Sequence, residues 1–182
     1  MLHLDRTAVG ARPEHDTVKG LASGLVGGLV GSLAMAAFQG IYGRVSRLRV
    51  EPARVEVAGD ALAGTEPSTH RAVQTVARAT LGRSLRLGTK RLLGRAFHFA
   101  FGTGLGGAYG VLVEYVPPAS LGSGIPFGAA QVLVADEMMV PALGLSEPPE
   151  RAPAGALSYS LAAHMVYGFT TELVRRGVRA RL

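Results

Sequence analysis

The sequence predicts an all-α integral membrane bundle of about four transmembrane helices, with an amphipathic interfacial helix in the first loop. Three observations carry this. Residues Gly20 to Gly43 run 24 residues without a charged side chain, enough to cross about 30 Å of hydrocarbon as a helix. Small residues recur there at every fourth position, Gly20, Gly24, Gly28, Ser32, Ala36 and Gly40. That spacing lines one helix face for close approach to another helix. Three further apolar stretches follow, bounded by arginine or proline.

Composition agrees. The chain has 182 residues, one domain's worth. Its 25 glycines are about twice the usual share, and most lie inside apolar stretches. There is no cysteine, which excludes disulfides, thiolate metal sites and cysteine nucleophiles. The net charge of +6 is carried almost wholly by arginine. These cations flank the apolar stretches, so anionic lipid head groups are the expected partner, and nucleic acid is not.

An N-terminal tail, residues 1–19, contains Asp5, Glu14 and Asp16. The apolar run after it is longer than the 7–15 residues usual for the core of a signal peptide. Residues 20–43 are therefore expected to be retained as the first span, a smooth scaffold for its neighbours. The basic loop 44–95 follows, with eleven lysines and arginines. Pro52, Gly59, Gly64 and Pro67 mark loop over residues 51–68. From about 68 to 90 the pattern is that of an amphipathic helix. Arg71, Arg78, Arg86 and Lys90 share one arc, and Val73, Val76, Ala77, Leu81, Leu85 and Leu87 share the other. Such a helix lies in the interface plane, valine and leucine in lipid and arginine at phosphate.

The second span is residues 96–116, interrupted only by His98 and Glu114 and stopped by Pro117 and Pro118. The third is residues 120–141, with Pro126 near its start and Asp136 and Glu137 near its end; a re-entrant segment is the alternative here. The fourth is residues 152–172, whose first twenty residues hold one ionisable group, His164. The tail 173–182 carries Arg175, Arg176, Arg179 and Arg181; cations there suit the helix dipole and lipid phosphates, and Arg175 and Arg176 join the head-group candidates. The heavier basic content of the 44–95 loop favours that loop in the cytoplasm.

Two more stripes run at four-residue spacing: His98, Gly102, Gly106, Gly110, Glu114, and Ala156, Ser160, His164, Gly168, Glu172. Each puts an imidazole and a carboxylate on a face of small residues. Ionisable groups within spans are costly and face protein or water. His98, Glu114, Asp136, Glu137, His164 and Glu172 thus form a candidate polar seam for protons or a cation, or a set of interhelical hydrogen bonds. Helix packing is assigned to Gly24, Gly28, Ser32, Gly102, Gly106, Gly110, Gly124, Gly128 and Gly168. The acids and histidines lack metal-ligand spacing. Residues 102–107 fit G-x-G-x-x-G, but no strand precedes them and they sit inside an apolar run, so no nucleotide site is expected. No catalytic residue, cofactor or metal ligand is assigned.

From His98 onward the pattern resembles the YagU-like family of small bacterial inner-membrane proteins of unknown function. The residues that carry it are His98, Tyr109-Gly110, Gly124-x-x-x-Gly128, Pro141 to Leu145 before Pro148-Pro149, His164-Met165-Val166 and Glu172 to Arg176. The resemblance implies a multi-pass bundle in a bacterial cytoplasmic membrane and supplies no reaction. The lack of tryptophan and cysteine and the arginine-rich first loop depart from that family's pattern.

The expected function is a non-enzymatic structural, accessory or membrane-stress component that binds anionic lipid or a partner helix, with self-association open. The alternative is a small transporter or proton/cation conduit using His98, His164, Asp136 and Glu137.

Overall fold

The computed structural model describes residues 15–49, 73–78, 82, 84–133 and 156–182. Among these, every regular element is a helix. Helix α1 is Thr17–Arg49. Asp16 caps it: its Oδ1 accepts the Lys19 backbone N–H at 2.9 Å, satisfying one of the free donors of the first turn. No proline or charge interrupts the turns from Gly20 to Gly43, so α1 is about 50 Å long.

A short helix, α2, covers residues 73–78. The Gln74 side-chain oxygen accepts the Leu85 N–H at 3.1 Å and ties α2 to the start of the next helix. Helix α3 is Leu87–Tyr115. It ends at Val116, where the backbone turns extended before Pro117. Pro117–Gly124 forms a broken 3-10 stretch, and Ile125–Gln131 forms α4, with Pro126 in its first turn. Helix α5 is Ala156–Arg179.

Helix α1 is the hub. Its Gly20, Gly24 and Gly28 meet Gly110, Gly106 and Gly102 in turn, so α3 runs antiparallel to it. Its Gly27 and Gly31 meet Thr171 and Tyr167, and Tyr42 meets Tyr159, so α5 is antiparallel to it as well. Helix α4 returns along the other side of α5, Gly124 against Gly168 and Gly128 against His164.

The burial pattern is inverted relative to a water-soluble bundle. The buried apolar cluster is small: Met35, Ala163 and Tyr167, with Phe38 and Phe127 against it. Ser23, Ser32, Thr171, Glu172 and Arg175 are buried. Leu29, Leu33, Leu92, Phe97, Phe101, Leu112, Phe169 and Leu173 are exposed. Two helical stretches, Thr17–Val45 and Leu87–Tyr115, are long and apolar enough to cross a membrane. In α5, residues 156–171 precede Glu172, about 24 Å of uncharged helix.

Two expectations change. A single amphipathic helix over 68–90 does not form. The chain bends at Gly82, which takes a φ of 64° that suits glycine, and is not helical over 84–86. Lys90 consequently belongs to α3, and Arg71 lies outside the described residues. The third span does not begin as a helix at 120. Gly122, Ser123 and Gly124 have φ of 68°, 55° and 79°, a left-handed run that no α-helix contains. Helix starts only at Ile125, and Asp136 and Glu137 lie outside the described residues.

Candidate functional site

The three acids among the described residues, Asp16, Glu114 and Glu172, all lie at one end of the helices, where α1 begins and α3 and α5 end. Helix ends bring unsatisfied backbone groups and charges together, and here the acids are shared among chain segments.

Glu172 is fully buried. Arg175 Nε and Nη2 donate to its two oxygens at 2.6 and 2.8 Å, a forked pairing suited to the planar guanidinium. Arg176 Nε donates to Glu172 Oε1 at 2.5 Å, and its Nη2 donates to the Ser120 carbonyl at 3.0 Å. The Tyr109 hydroxyl of α3 is a further hydrogen-bonding neighbour of this carboxylate. One acid therefore joins two turns of α5 to α3 and to the 117–124 turn. Its hydrogen bonds raise the pKa of Arg175, against the opposing effect of burial.

Glu114 collects a second set. Arg179 Nε and Nη2 donate to its carboxylate at 2.6 and 3.1 Å. The Asp16 backbone N–H reaches Glu114 Oε2 at 3.3 Å, and the His15 ring bonds the Glu114 carbonyl. Beside them Thr17 Oγ1 lies 2.5 Å from the Tyr115 hydroxyl, and Lys19 pairs with Asp16 at 3.8 Å. Glu114 thus ties the end of α3 to the start of α1 and the end of α5. Arg179 has its pKa raised chiefly by the hydrogen bonds to Glu114.

Away from that end the contacts are between small residues. A Cβ on Gly28 would lie 2.6 Å from the Gly102 carbonyl oxygen and 2.9 Å from Gly106 Cα. A Cβ on Gly24 would lie 2.9 Å from Gly110 Cα and closer still to the Gly106 carbonyl. Ser32 donates to the Gly28 carbonyl at 2.9 Å and sits over Gly102. On the α4–α5 side, a Cβ on Gly168 would lie 2.7 Å from Gly128 N and 3.0 Å from its Cα. Tyr167 reaches across from α5 and donates to the Gly102 carbonyl at 2.6 Å. Phe127 stacks on Tyr109 with centroids 4.1 Å apart and lies 6.0 Å from Tyr167, filling the space between α3 and α5.

The four seam candidates among the described residues, His98, Glu114, His164 and Glu172, do not line up as one path. His164 Nδ1 lies 2.9 Å from the Ser160 carbonyl, one turn back along α5. Glu172 is eight residues the other way, about 12 Å along the helix axis. His98 sits on α3 sixteen residues before Glu114, about 24 Å from it along the axis. His98 and His164 therefore occupy different levels from Glu114 and Glu172. Arg175 is also not a head-group ligand: it is buried with its fork on Glu172. Among the described residues no group of three or more His, Asp or Glu side chains could hold a metal ion.

Gly27, Gly31, Thr171 and Tyr167 carry the α1–α5 contact and were not assigned from the sequence. The Gly27–Gly31 pair is the available signal, but Gly27 lies only about 60° from Gly24 on the wheel and Gly31 about 20° from both Gly20 and Gly24, so the longer stripe masks it. Compared with protein families, curated proteins and solved structures, the chain matches none.

Proposed function

We propose that this chain is a multi-pass integral membrane protein without catalytic activity, a structural or accessory component of a bacterial cytoplasmic membrane. The observation that carries the reading is the inverted burial: glycine, serine and ion pairs inside, leucine, valine and phenylalanine outside. Among the described residues more large apolar side chains are exposed than buried, the reverse of what water favours. Lipid suits it, since close packing of small residues, not burial of large apolar ones, holds helices together there.

Further support comes from the aromatic levels. Tyr115 is bonded to Thr17 at one end, and the Tyr42 and Tyr159 rings pack 4.7 Å apart at a 40° tilt at the other. Thr17 and Tyr42 are 25 residues apart on α1, about 37 Å, which falls between the hydrocarbon thickness and the full interfacial thickness of a bilayer. In this reading α4 and α5, continued through the residues outside the described set, supply the third and fourth spans. The resemblance to the YagU-like family favours the same bundle: Tyr109, Gly124, Gly128, Glu172 and Arg176 are among the residues that carry it, and each makes a contact between elements.

Fractionation of cells expressing the chain tests this. The protein is expected to stay in the membrane pellet after alkaline carbonate or urea and to be released by detergent. Release by carbonate alone would overturn the reading.

A further inference from the structure

The two ends of the helices differ in how their cations are used. At the end where α1 begins, Arg175, Arg176 and Arg179 are bonded to Glu172 and Glu114, and Lys19 to Asp16. The opposite end, where α1 finishes and α3 starts, bears Arg44, Arg86, Arg91 and Arg95, all exposed. No acid among the described residues lies there.

Resting on the membrane reading above, we infer that this arginine-rich end is the cytoplasmic one, and that Arg44, Arg91 and Arg95 form a binding surface for anionic phospholipid head groups of that leaflet. Three features fit that partner. On the α3 wheel Arg91 and Arg95 sit within about 40° of each other, and Leu92, Leu93 and Phe97 occupy a separate arc. Those three side chains are exposed, so lipid tails can cover the apolar arc while the guanidinium groups snorkel to phosphate. The α1–α3 register places Arg91 level with Gln39, within about one helical turn of Tyr42 and the aromatic level of this end. Gly94, which is buried, falls between the two arcs. A nucleic acid would use the arginines but leave Leu92, Leu93 and Phe97 uncovered in water, which favours the lipid surface.

The charge count that sets orientation changes with it. Positive residues near span ends favour the cytoplasm, and a guanidinium fixed on an internal carboxylate no longer offers its charge to phosphate. The α5 tail loses most of its weight in that count, whereas Arg44, Arg91 and Arg95 are exposed at the other end.

The test uses the full chain in phosphatidylcholine vesicles containing trace spin-labelled phosphatidylglycerol or spin-labelled phosphatidylcholine. The wild type is expected to immobilise the anionic label at least about threefold more than the zwitterionic one, because basic residues near a membrane surface attract anionic lipid. In Arg44→Gln/Arg91→Gln/Arg95→Gln the two labels should become equal. The same triple change to lysine should keep the preference, and Arg181→Gln should leave it unchanged. A preference retained in the glutamine triple would overturn the assignment, as would equal immobilisation in the wild type, with or without retention of added RNA. Failure of the chain to incorporate into either vesicle is a separate result and would overturn the membrane reading itself.

Discussion

Glu114, at the end of α3, and Arg179, at the end of α5, form a two-pronged ion pair at 2.6 and 3.1 Å across 65 positions of sequence. Both helices lean on α1, and this pair joins them directly where they finish. Asp16 adds the start of α1 to the same carboxylate, so one side chain closes the end of a three-helix assembly.

Charge neutralisation at Glu172 should be more damaging than at Glu114, because Glu172 is the more deeply buried. Glu172→Gln leaves the buried Arg175 without its carboxylate and is expected to cost roughly 3–5 kcal/mol. Thermal unfolding in detergent checks this. The double change Glu172→Gln/Arg175→Leu should recover much of the loss, since the unpaired charge is then gone. A double variant as unstable as the single would show that the pair does more than satisfy itself.

The glycine contacts separate by position. Gly106→Ala drives a Cβ into Gly28 N at 2.7 Å and Gly24 O at 2.6 Å, backbone atoms that yield only if α1 and α3 move apart. A loss of roughly 1–3 kcal/mol is expected. Gly104→Ala, two residues away with nothing within 4 Å of its Cβ, should be neutral or stabilise by up to about 1 kcal/mol through helix propensity. Equal melting of the two variants would contradict the α1–α3 register.

Tyr167→Phe removes one hydrogen bond, from the buried hydroxyl to the Gly102 carbonyl, and preserves the ring beside Phe127. The expected cost is roughly 1 kcal/mol. A matching shift in the detergent melting curve checks it, and an unchanged melt would show that the carbonyl finds another donor.

The alkaline limb of stability can be read from Arg179, whose pKa is raised by its hydrogen bonds to Glu114. A cation whose pKa rises on folding contributes stability that is fully present below its unfolded value. That contribution is lost only as pH climbs through the raised value. The wild-type pair should therefore hold from about pH 8 to about pH 11, because guanidinium titrates higher. Arg179→Lys should hold at about pH 8 and weaken by about pH 11, since lysine titrates near 10.4. Parallel melting series for the two proteins check this, and curves that fall together would place the alkaline loss elsewhere.

The charge-free run from Gly20 to Gly43 points to one long helix, and α1 is that helix with a turn or two added at each end. The four-residue recurrence points to a face but not to its occupant. That Gly24 meets Gly106 and Gly28 meets Gly102 follows from the antiparallel register, which no local pattern encodes. The stripe also overreaches: Gly40 has nothing within 4 Å. At the charged end, residue type alone shows that acids and arginines are near helix termini. It does not show that Glu172 pairs along its own helix with Arg175 while Glu114 pairs across 65 positions with Arg179. The break at 121–124 was hidden because Ser123 is not a residue that advertises a left-handed φ.

The role of α1 as hub has a consequence for assembly order. It is the first of these helices in the chain, and α3 and α5 both dock on surfaces it already offers. Each later arrival therefore meets a finished template instead of waiting for a partner still to be made. Helix α4 differs: Gly124 just before it and Gly128 within it pack on Gly168 and His164 of α5, which follows it. Until α5 is made, the Gly27 and Gly31 face of α1 and the glycines of the 117–131 stretch both lack their partner, and one arrival, that of α5, completes both contacts.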